Sequence, residues 1–545
     1  MVYWSVCCIF GRLLNQIDKT MKNRSVSEAV VHLTWRSIIF FILFMITGNS
    51  LKSQEYFNVR AGFEGGTLAR ETNYDVLVEE DGYITMGFFT DDDSYDYYFG
   101  LLKLDSEGYP VFTKNFLHDT LLHYKIGPSQ GSLIRLNSSE YFNIGHRSKY
   151  DSINQVFNSS AVLLKFDNEF NIISQHIYGD EFPPIDTNFL FQNLILTPQL
   201  EFVVTGYISI PGTGTRSLLW KLDMEGNVIW KRYFQDGPNN NGIRVIQTTD
   251  GGFALSCFKW VTQARTSHNY LIKTDSEGNQ QWRKYIGGMW ADGRLYITLA
   301  PDNTIFGAYH YSDSLTPGYD SFNRFAVIKF DLAGNRLFEK FYGTSKKWFQ
   351  VTSSTIDSHG NLVATAIEPL GSRPFLGSMF KVDLLGDLLW YRQYRKLDGD
   401  RSGDALRGVC PTTDGGYVAV GNLYPQIPDV GSQDVWVIKV DSMGCINFDD
   451  CWVGEKELPL PKNETAMLLV HPNPAKDRIQ LNFGPDELHL LKTLRLYDSY
   501  GQLRQTVQLE PGGSEADISG LPPGLYVGKV IIEGRHRASV KVLVQ

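Results

Sequence analysis

Short apolar stretches, separated by turn residues, recur along most of the chain. Each stretch is bounded by Gly, Asp, Asn or Pro, and its apolar positions lack the spacing of an amphipathic helix. The clearest turns are Asp81-Gly82, Asp250-Gly251-Gly252 and Asp414-Gly415-Gly416, and each precedes an apolar strand. The pattern therefore predicts an all-β fold of short strands joined by tight turns.

The strands form a unit that repeats between about residue 57 and residue 452. Its anchor is a Lys-x-Asp motif at the end of an apolar strand, at intervals of 52 to 62 residues. The seven motif aspartates are Asp105, Asp167, Asp223, Asp275, Asp331, Asp383 and Asp441. Two turn-flanked hairpins in each unit make four strands, and four strands repeated seven times are typical of a seven-bladed β-propeller.

Each motif is followed by the residues of a hairpin turn and by a large ring. A Gly stands three residues after the Asp in every unit but the second, where Phe170 replaces it. Gly accepts a positive φ and an Asp side chain can bond the turn backbone, so we expect the seven aspartates to shape turns. Seven residues after the Asp comes a ring such as Trp230, except in the second unit, where Ser174 stands.

The start of the repeat region predicts how the propeller closes. Tyr56 and Phe57 align with the strand that follows a Lys-x-Asp turn, so the chain would begin with the last strand of its final blade. A clasp through Tyr56 to Ala61 would remove the exposed sheet edges that invite aggregation. The segment from Ile446 to Trp452, which follows the seventh turn, competes for the same place.

Composition and charge narrow the possible partners. The 545 residues are 43% hydrophobic and 20% charged, as in packed globular proteins, and they are too many for one ordinary core. The formal net charge of −9 at pH 7 argues against nucleic acid or an anionic membrane as partner, because both attract basic surfaces.

An apolar run near the N-terminus indicates export. Ile38 to Ile46 is about half as long as a membrane-spanning helix requires, and it follows Arg36. We therefore assign residues 1–53 to a signal peptide with a long n-region, cleaved between Ser50 and Gln54. A start at Met21 would shorten that region. A short uncleaved anchor is the alternative; after processing we expect no stable transmembrane span.

The positions of the cysteines are consistent with an exported protein. Cys445 and Cys451 are close enough to close a small ring, and we predict a disulfide between them. A zinc site would need a second pair of Cys or His ligands, which does not accompany them. Cys257 and Cys410 stand alone in apolar strand patterns, where small buried side chains are expected.

The composition changes after the repeats. We place the propeller at residues 54–454 and a Pro-containing, charged linker at residues 455–467. Residues 468–545 show short alternating strands separated by turns, which predict a small Ig-like β-sandwich.

Motifs in this last domain resemble a known family. They are the start Pro472-Asn473-Pro474, Tyr497 and Gly501 in Leu-Tyr-Asp-x-x-Gly, Gly524 and Tyr526 in Leu-Pro-Pro-Gly-x-Tyr, and Lys541 in the closing strand. In this order they resemble the C-terminal sorting domain of type IX secretion cargo in Bacteroidota. A generic Ig-like adhesion module is the alternative interpretation.

The resemblance implies a route and a location. It implies transport by the type IX machinery after signal-peptide export through the periplasm. It also implies removal of the domain by a cysteine-protease sortase, followed by release or attachment to lipopolysaccharide. We therefore expect an extracellular or outer-membrane surface protein.

The sequence assigns no catalytic, cofactor-binding or metal-binding residue. The Lys-x-Asp pairs recur in every unit and are expected to serve the fold. Asp91-Asp92-Asp93 with Asp96 could hold structural Ca²⁺, although a solvated acidic loop is favoured. Trp290, Tyr309 and Tyr311 could form an aromatic platform for sugars, although core packing or loop anchoring is favoured.

Three functions remain open at this level, because propellers support many functions. The first is a secreted or cell-surface, non-enzymatic binding module for a glycan or protein. The second is a secreted hydrolase or lyase with its site in the central channel. The third is a purely structural surface protein. Carboxylates or His converging from several blades would favour catalysis, whereas an aromatic, hydrogen-bonding, non-titrating surface would favour binding.

Overall fold

The computed structural model shows an all-β protein. It describes residues 56–61, 71–90, 97–116, 123–126, 132–151, 156–179, 187–237, 239–261, 266–288, 292–315, 321–347, 349–369, 375–396, 403–424, 433–446, 470–483, 490–498, 502–532 and 535–545. Helices are absent from these ranges, so none of the described residues form a helix able to cross a membrane. The predicted signal peptide, linker and Asp91–Asp96 loop lie outside them.

The strands of the repeat region fall into seven groups, which we call repeats 1 to 7. Strand β1 is Phe57–Ala61. Repeat 1 holds β2 Glu71–Val78, β3 Gly82–Thr90, β4 Tyr97–Asp105 and β5 Pro110–Phe116. Repeat 2 holds β6 His123–Ile126, β7 Leu133–Arg135, β8 Tyr141–Asp151, β9 Val156–Phe166 and β10 Ile172–Tyr178. Repeat 3 holds β11 Asn188–Leu196, β12 Phe202–Ile210, β13 Gly214–Leu222 and β14 Val228–Phe234. Repeat 4 holds β15 Asn240–Gln247, β16 Phe253–Val261, β17 Thr266–Thr274 and β18 Gln280–Ile286.

The later repeats follow the same plan. Repeat 5 holds β19 Tyr296–Leu299, β20 Ile305–Leu315, β21 Ser321–Phe330 and β22 Arg336–Lys347. Repeat 6 holds β23 Gln350–Ile356, β24 Leu362–Pro369, β25 Phe375–Val382 and β26 Leu388–Tyr394. Repeat 7 holds β27 Gly403–Pro411, β28 Tyr417–Tyr424 and β29 Asp434–Val440.

Within each repeat, consecutive strands pair antiparallel. In repeat 2 the first strand is divided into β6 and β7, which both pair with β8. Repeat 7 has three strands of its own, and its fourth is β1, which pairs with β29 from Phe57 opposite Lys439 to Ala61 opposite Val435. Of the competing segment, only Ile446 is described.

The lysine of every Lys-x-Asp motif forms an ion pair inside its own repeat. Its ammonium group reaches the carboxylate of the turn between the first and second strands, and so ties two turns together. The pairs are Lys103–Asp81, Lys165–Glu140, Lys221–Glu201, Lys273–Asp250, Lys329–Asp302, Lys381–Asp357 and Lys439–Asp414, at 2.5 to 3.0 Å. The motif therefore stabilises the fold, as its recurrence suggests.

The motif aspartate shapes the following turn. In repeat 4, Asp275 Oδ1 accepts hydrogen bonds from the amides of Glu277 at 2.9 Å and Asn279 at 2.8 Å. The third residue after the Asp has a positive φ throughout, as at Gly278 with 76°. Phe170, which interrupts the Gly pattern, adopts the same conformation with a φ of 59°. The turn geometry therefore persists where its usual residue is missing.

The ring of one repeat covers the turn of the next. A Cβ atom at Gly278 would lie 2.8 Å from the Trp230 ring, so only Gly fits beneath it. The same relation joins Trp282 to Gly334, Phe338 to Gly386 and Trp390 to Gly444. Phe57 of β1 lies on Gly108 of repeat 1 in the same way. Neighbouring repeats are therefore joined by a contact that uses both the turn and the ring.

The C-terminal domain consists of two sheets around one core. One sheet contains β30 Val470–His471, β31 Arg478–Leu481 and β34 Glu515–Asp517. The other has the order β33 Leu503–Leu509, β32 Lys492–Tyr497, β35 Gly524–Ile532 and β36 Arg535–Val544. Ile479 of the first sheet and Leu496 of the second share one buried cluster. The domain is thus a small β-sandwich.

The ion pairs of the repeats should contribute unequally to the free energy of unfolding, because they differ in burial. Replacing Lys439 by Met should destabilise the chain by about 3 kcal/mol, because the largely buried Asp414 carboxylate would lose the charge of Lys439. The side chains of Lys439 and Asp414 are only 2% and 14% exposed. Urea unfolding of the purified chain would measure the change.

The matched control is Lys103→Met in repeat 1, where Lys103 and Asp81 are 30% and 67% exposed. This variant should lose less than about 1 kcal/mol, because water screens the pair. Equal losses in the two variants would contradict the account.

Candidate functional site

First strands from different repeats bring arginine and tyrosine side chains together. We call Tyr74, Arg244, Arg294, Tyr296 and Arg407 the arginine–tyrosine cluster. Tyr74 is in β2, Arg244 in β15, Tyr296 in β19 and Arg407 in β27, while Arg294 lies two residues before the start of β19. These are the first strands of repeats 1, 4, 5 and 7. The cluster can therefore form only where these repeats face one another.

Irregularities in the strands direct some of these side chains. The pairing register shifts between Asn73 and Asp75, between Gly242 and Arg244, and between Leu406 and Gly408. A β-bulge changes the direction of side chains and often lies next to a functional site.

Electrostatic effects connect residues of the cluster with charged groups of other repeats. Burial raises the pKa of Tyr74 in repeat 1 and of Tyr207 in repeat 3 above the usual value, and the Arg294 charge opposes this change in both. Burial lowers the pKa of Arg244, and the charge of Asp75 in repeat 1 opposes this change. The Arg407 guanidinium lies 5.3 Å from the Tyr74 ring centroid, in a cation–π contact.

Asp75 places a negative charge near the guanidinium group of Arg244. Its Oδ2 accepts hydrogen bonds from the amides of Ser132 and Leu133, both at 2.8 Å, and its Oδ1 accepts one from Val76 at 3.0 Å. The carboxylate is thus held in place by backbone amides. The three arginines and Asp75 together leave an excess of positive charge, although the whole chain is acidic.

The nearby histidine does not add to this charge at neutral pH. Burial, aided by the Arg294 charge, lowers the pKa of His310 to about 4. A catalytic acid or base works best when its pKa is near the operating pH. His310 is therefore poorly matched to proton transfer at neutral pH.

A buried carboxyl group near repeat 5 has a structural explanation. Burial raises the pKa of Asp292 to about 6. Its Oδ2 accepts from the Gly288 amide at 2.7 Å and its Oδ1 from the Ser312 amide at 2.9 Å. Asp292 therefore fixes the connection between repeats 4 and 5.

The tyrosines considered as a sugar platform take part in packing. Tyr309 is fully buried, and its hydroxyl donates to Glu339 Oε1 at 2.6 Å. The Tyr311 ring packs edge-on against Phe341, with centroids 4.7 Å apart. Trp290 lies outside the described residues. The described residues contain no group of three or more His, Cys, Asp or Glu placed to hold a metal ion.

The missing ring of repeat 2 leaves a cavity. Ser174 stands where other repeats have an aromatic ring, and it lines a space of about 510 Å³ beside Phe142, His176 and Met224. His176 instead lies over Gly226 of repeat 3. This cavity follows from the departure in the repeat and is separate from the arginine–tyrosine cluster.

Sequence reasoning did not find the arginine–tyrosine cluster. The seven motif aspartates lie in turns within their own repeats, as expected, and are not brought together at one site. The signal that could have found the cluster was an arginine in or shortly before the first strand of repeats 4, 5 and 7. Of the predicted disulfide, Cys445 is disulfide-bonded, whereas Cys451 lies outside the described residues, so the pairing stays a prediction. Cys257 is buried and free.

Two of the sorting-motif residues, Asn473 and Lys541, are joined at one end of the C-terminal domain. Asn473 Nδ2 donates to the Lys541 carbonyl at 2.7 Å, and Asn473 Oδ1 accepts from the Leu543 amide at 2.8 Å. The Tyr526 hydroxyl donates to the Pro522 carbonyl at 2.8 Å. The Pro-Asn-Pro start is thus joined to the closing strand. Gly501 lies outside the described residues.

Comparison with known proteins identifies this domain's relatives. Residues 469–545 match the family model described as a secretion system C-terminal sorting domain. The match supports type IX sorting, and it implies export to the cell surface or the medium. No curated protein matches the chain.

Solved structures resemble the chain only weakly. A fungal alcohol oxidase with bound copper is 10% identical with a TM-score of 0.37, covering 90% of this chain and 99% of its own. Drosophila semaphorin 2a is 9% identical with a TM-score of 0.37 and the same coverage. An α-L-arabinofuranosidase from Fusarium graminearum is 11% identical with a TM-score of 0.35, covering 71% and 98%. Nothing about this chain's function rests on these similarities.

Proposed function

We propose that the protein is an exported binding module: a closed seven-bladed propeller that recognises an anionic glycan or protein, followed by a removable sorting domain. The observation that carries the binding role is the arginine–tyrosine cluster. Guanidinium groups bind carboxylate, sulfate and phosphate with good geometry, and aromatic rings add contact area for sugars.

Contacts between repeats support the closed ring. Val76 and Leu102 of repeat 1 share a buried cluster with Val418 and Val437 of repeat 7. Arg244 of repeat 4 lies near Asp75 of repeat 1, and Arg294 of repeat 5 lies near Tyr74 of the same repeat. Such contacts between distant repeats are expected where first strands surround a common axis. Strand β1 then acts as the clasp.

The binding role is tested with Arg294→Gln in the purified chain. Polygalacturonate, a polymer of carboxylated sugars, should bind the wild type, and binding should weaken as salt rises because charges are screened. Loss of one guanidinium contact should lower the affinity about tenfold, equivalent to about 1.4 kcal/mol. Isothermal titration calorimetry would measure it.

The matched control is Arg336→Gln on the outer strand β22, where the side chain is 55% exposed and pairs with Glu339. This variant should bind as the wild type does. Equal binding of a neutral dextran, or unchanged binding by Arg294→Gln, would rule out the cluster as an anion site. Unsaturated sugar products absorbing in the ultraviolet would instead support the alternative, a lyase with its site in the channel.

We also propose the finer features of the export route. Residues 1–53 direct the chain through the periplasm in a member of the Bacteroidota, and a sortase cuts within residues 455–467. Deleting residues 468–545 should remove the protein from the culture medium and the outer membrane while leaving it in the periplasm. Mass spectrometry of the three fractions would show this. Normal extracellular appearance of the shortened chain would contradict the sorting role.

A further inference from the structure

The turn of repeat 6 departs from the turns of repeats 2 to 5 at one position. Four residues after the motif Asp, repeats 2 to 5 have Asn, whose side-chain amide donates to the second oxygen of that Asp. These residues are Asn171, Asn227, Asn279 and Asn335, with distances of 2.8 to 3.0 Å. The Asn side chain therefore closes the turn by a hydrogen bond and adds no charge to it.

Repeat 6 has Asp387 at this position. Its backbone amide still donates to Asp383 Oδ1 at 2.7 Å, so the turn keeps its shape. A carboxylate cannot donate the side-chain hydrogen bond that Asn provides. Two carboxylates in one half-buried turn also repel each other, so the substitution is unfavourable unless cations lie nearby.

The cations come partly from the C-terminal domain. Arg495 Nη1 of β32 lies 3.2 Å from Asp387 Oδ2, and Lys340 of repeat 5 lies 2.7 Å from Asp387 Oδ1. Burial alone would raise the pKa of Asp387, but Lys529, Lys340 and Arg495 outweigh it and hold this pKa below its usual value. The acidic turn is thus compensated by groups from two other parts of the chain.

The C-terminal domain places two positive charges side by side, just as the turn of repeat 6 places two negative charges side by side. Arg495 of β32 and Lys529 of β35 are directly opposite in the pairing register. Like charges opposite each other destabilise a sheet. Lys529 is only 3% exposed, although an ammonium group is rarely buried without a partner. Burial lowers the pKa of Lys529 to about 8, while the charges of Asp387 and Asp383 oppose this change.

Tyr497, a residue of the sorting motif, belongs to the same contact. It is 2% exposed, and the Lys529 ammonium lies 5.7 Å from its ring centroid. Burial and the charges of Asp383 and Asp387 raise the pKa of its hydroxyl. The ring and the two cations therefore form one surface that matches the acidic turn.

We propose that the sorting domain docks on the turn between β25 and β26, with Arg495 paired to Asp387 and the Lys529–Tyr497 contact placed against the same turn. Before cleavage, the propeller and the sorting domain then behave as one body. The secretion machinery meets the sorting domain through its other surfaces, including the end formed by Asn473 and Lys541. Cleavage and release uncover the acidic turn.

The test uses the chain that retains both the repeats and the C-terminal domain, made without the secretion machinery. A carbodiimide joins a lysine amine to a carboxylate as an amide, with loss of water. Peptide mass spectrometry should find Lys529 joined to Asp383 or Asp387 in the wild type. Asp387→Asn restores the usual turn residue but removes interface charge, so the Lys529–Asp383 product should fall about tenfold.

Two further variants separate docking from folding. Arg495→Glu should reduce the Lys529 products at least as strongly, because it repels both carboxylates. The matched control Asn335→Asp introduces the same acidic residue into the turn of repeat 5 and should leave the Lys529 products unchanged. Asp387→Asn should unfold at the same or a higher urea concentration, since Asn suits the turn.

Absence of Lys529 products in the wild type, or equal yields in the wild type, Asp387→Asn and Arg495→Glu, would overturn the docking. Neither result bears on ligand binding or on export. Failure of the docking is therefore distinguishable from failure of the proposed function.

Discussion

The structure depends on the contact in which a ring from one repeat covers the turn of the next. A single four-stranded sheet has two faces to bury and cannot bury them alone. Each buried cluster of the repeat region accordingly combines side chains of neighbouring repeats, as Trp230 of repeat 3 does with Phe253 of repeat 4. The Lys-to-acid ion pair and the Asp-shaped turn hold the covered surface in a fixed geometry. Stability therefore accumulates between repeats, as in other repeat architectures.

This dependence explains which features the sequence could predict. The Lys-x-Asp motif, the turn Gly and the following ring recur at fixed spacing because every repeat needs them for the same contact. The all-β fold, the turn role of the aspartates and the sorting domain could therefore be predicted from the sequence. The pairing of β1 with β29 was also predictable, because Phe57 occupies the ring position of a repeat.

The candidate site could not be predicted in the same way. Its residues come from first strands far apart in sequence, and β-bulges alter the directions of side chains such as Tyr74 and Arg407. A bulge shifts the alternation of faces by one residue, so the pattern of apolar and polar positions misassigns the side chains near it. The charge of Arg244 was visible, but its proximity to Asp75 depends on the arrangement of whole repeats.

Departures from the repeat coincide with features that the other repeats lack. Ser174 removes a ring and leaves a cavity, and Asp387 replaces the turn Asn and receives the cations of the C-terminal domain. Residues shared by all repeats maintain the fold, whereas a residue unique to one repeat needs a separate physical reason. That distinction connects the turn chemistry to the proposed docking of the sorting domain.

The central claim is that the repeats close into a ring. Pulsed electron paramagnetic resonance tests ring closure directly, because it measures distances between spin labels. The labels are placed at exposed, corresponding turn positions: Glu80 in repeat 1, Ser358 in repeat 6 and Thr413 in repeat 7. A closed ring predicts that the distance from Glu80 to Thr413 equals that between the adjacent positions Ser358 and Thr413. It should also be shorter than the distance from Glu80 to Thr249 in repeat 4. A Glu80–Thr413 distance longer than both would show an open array and contradict the account.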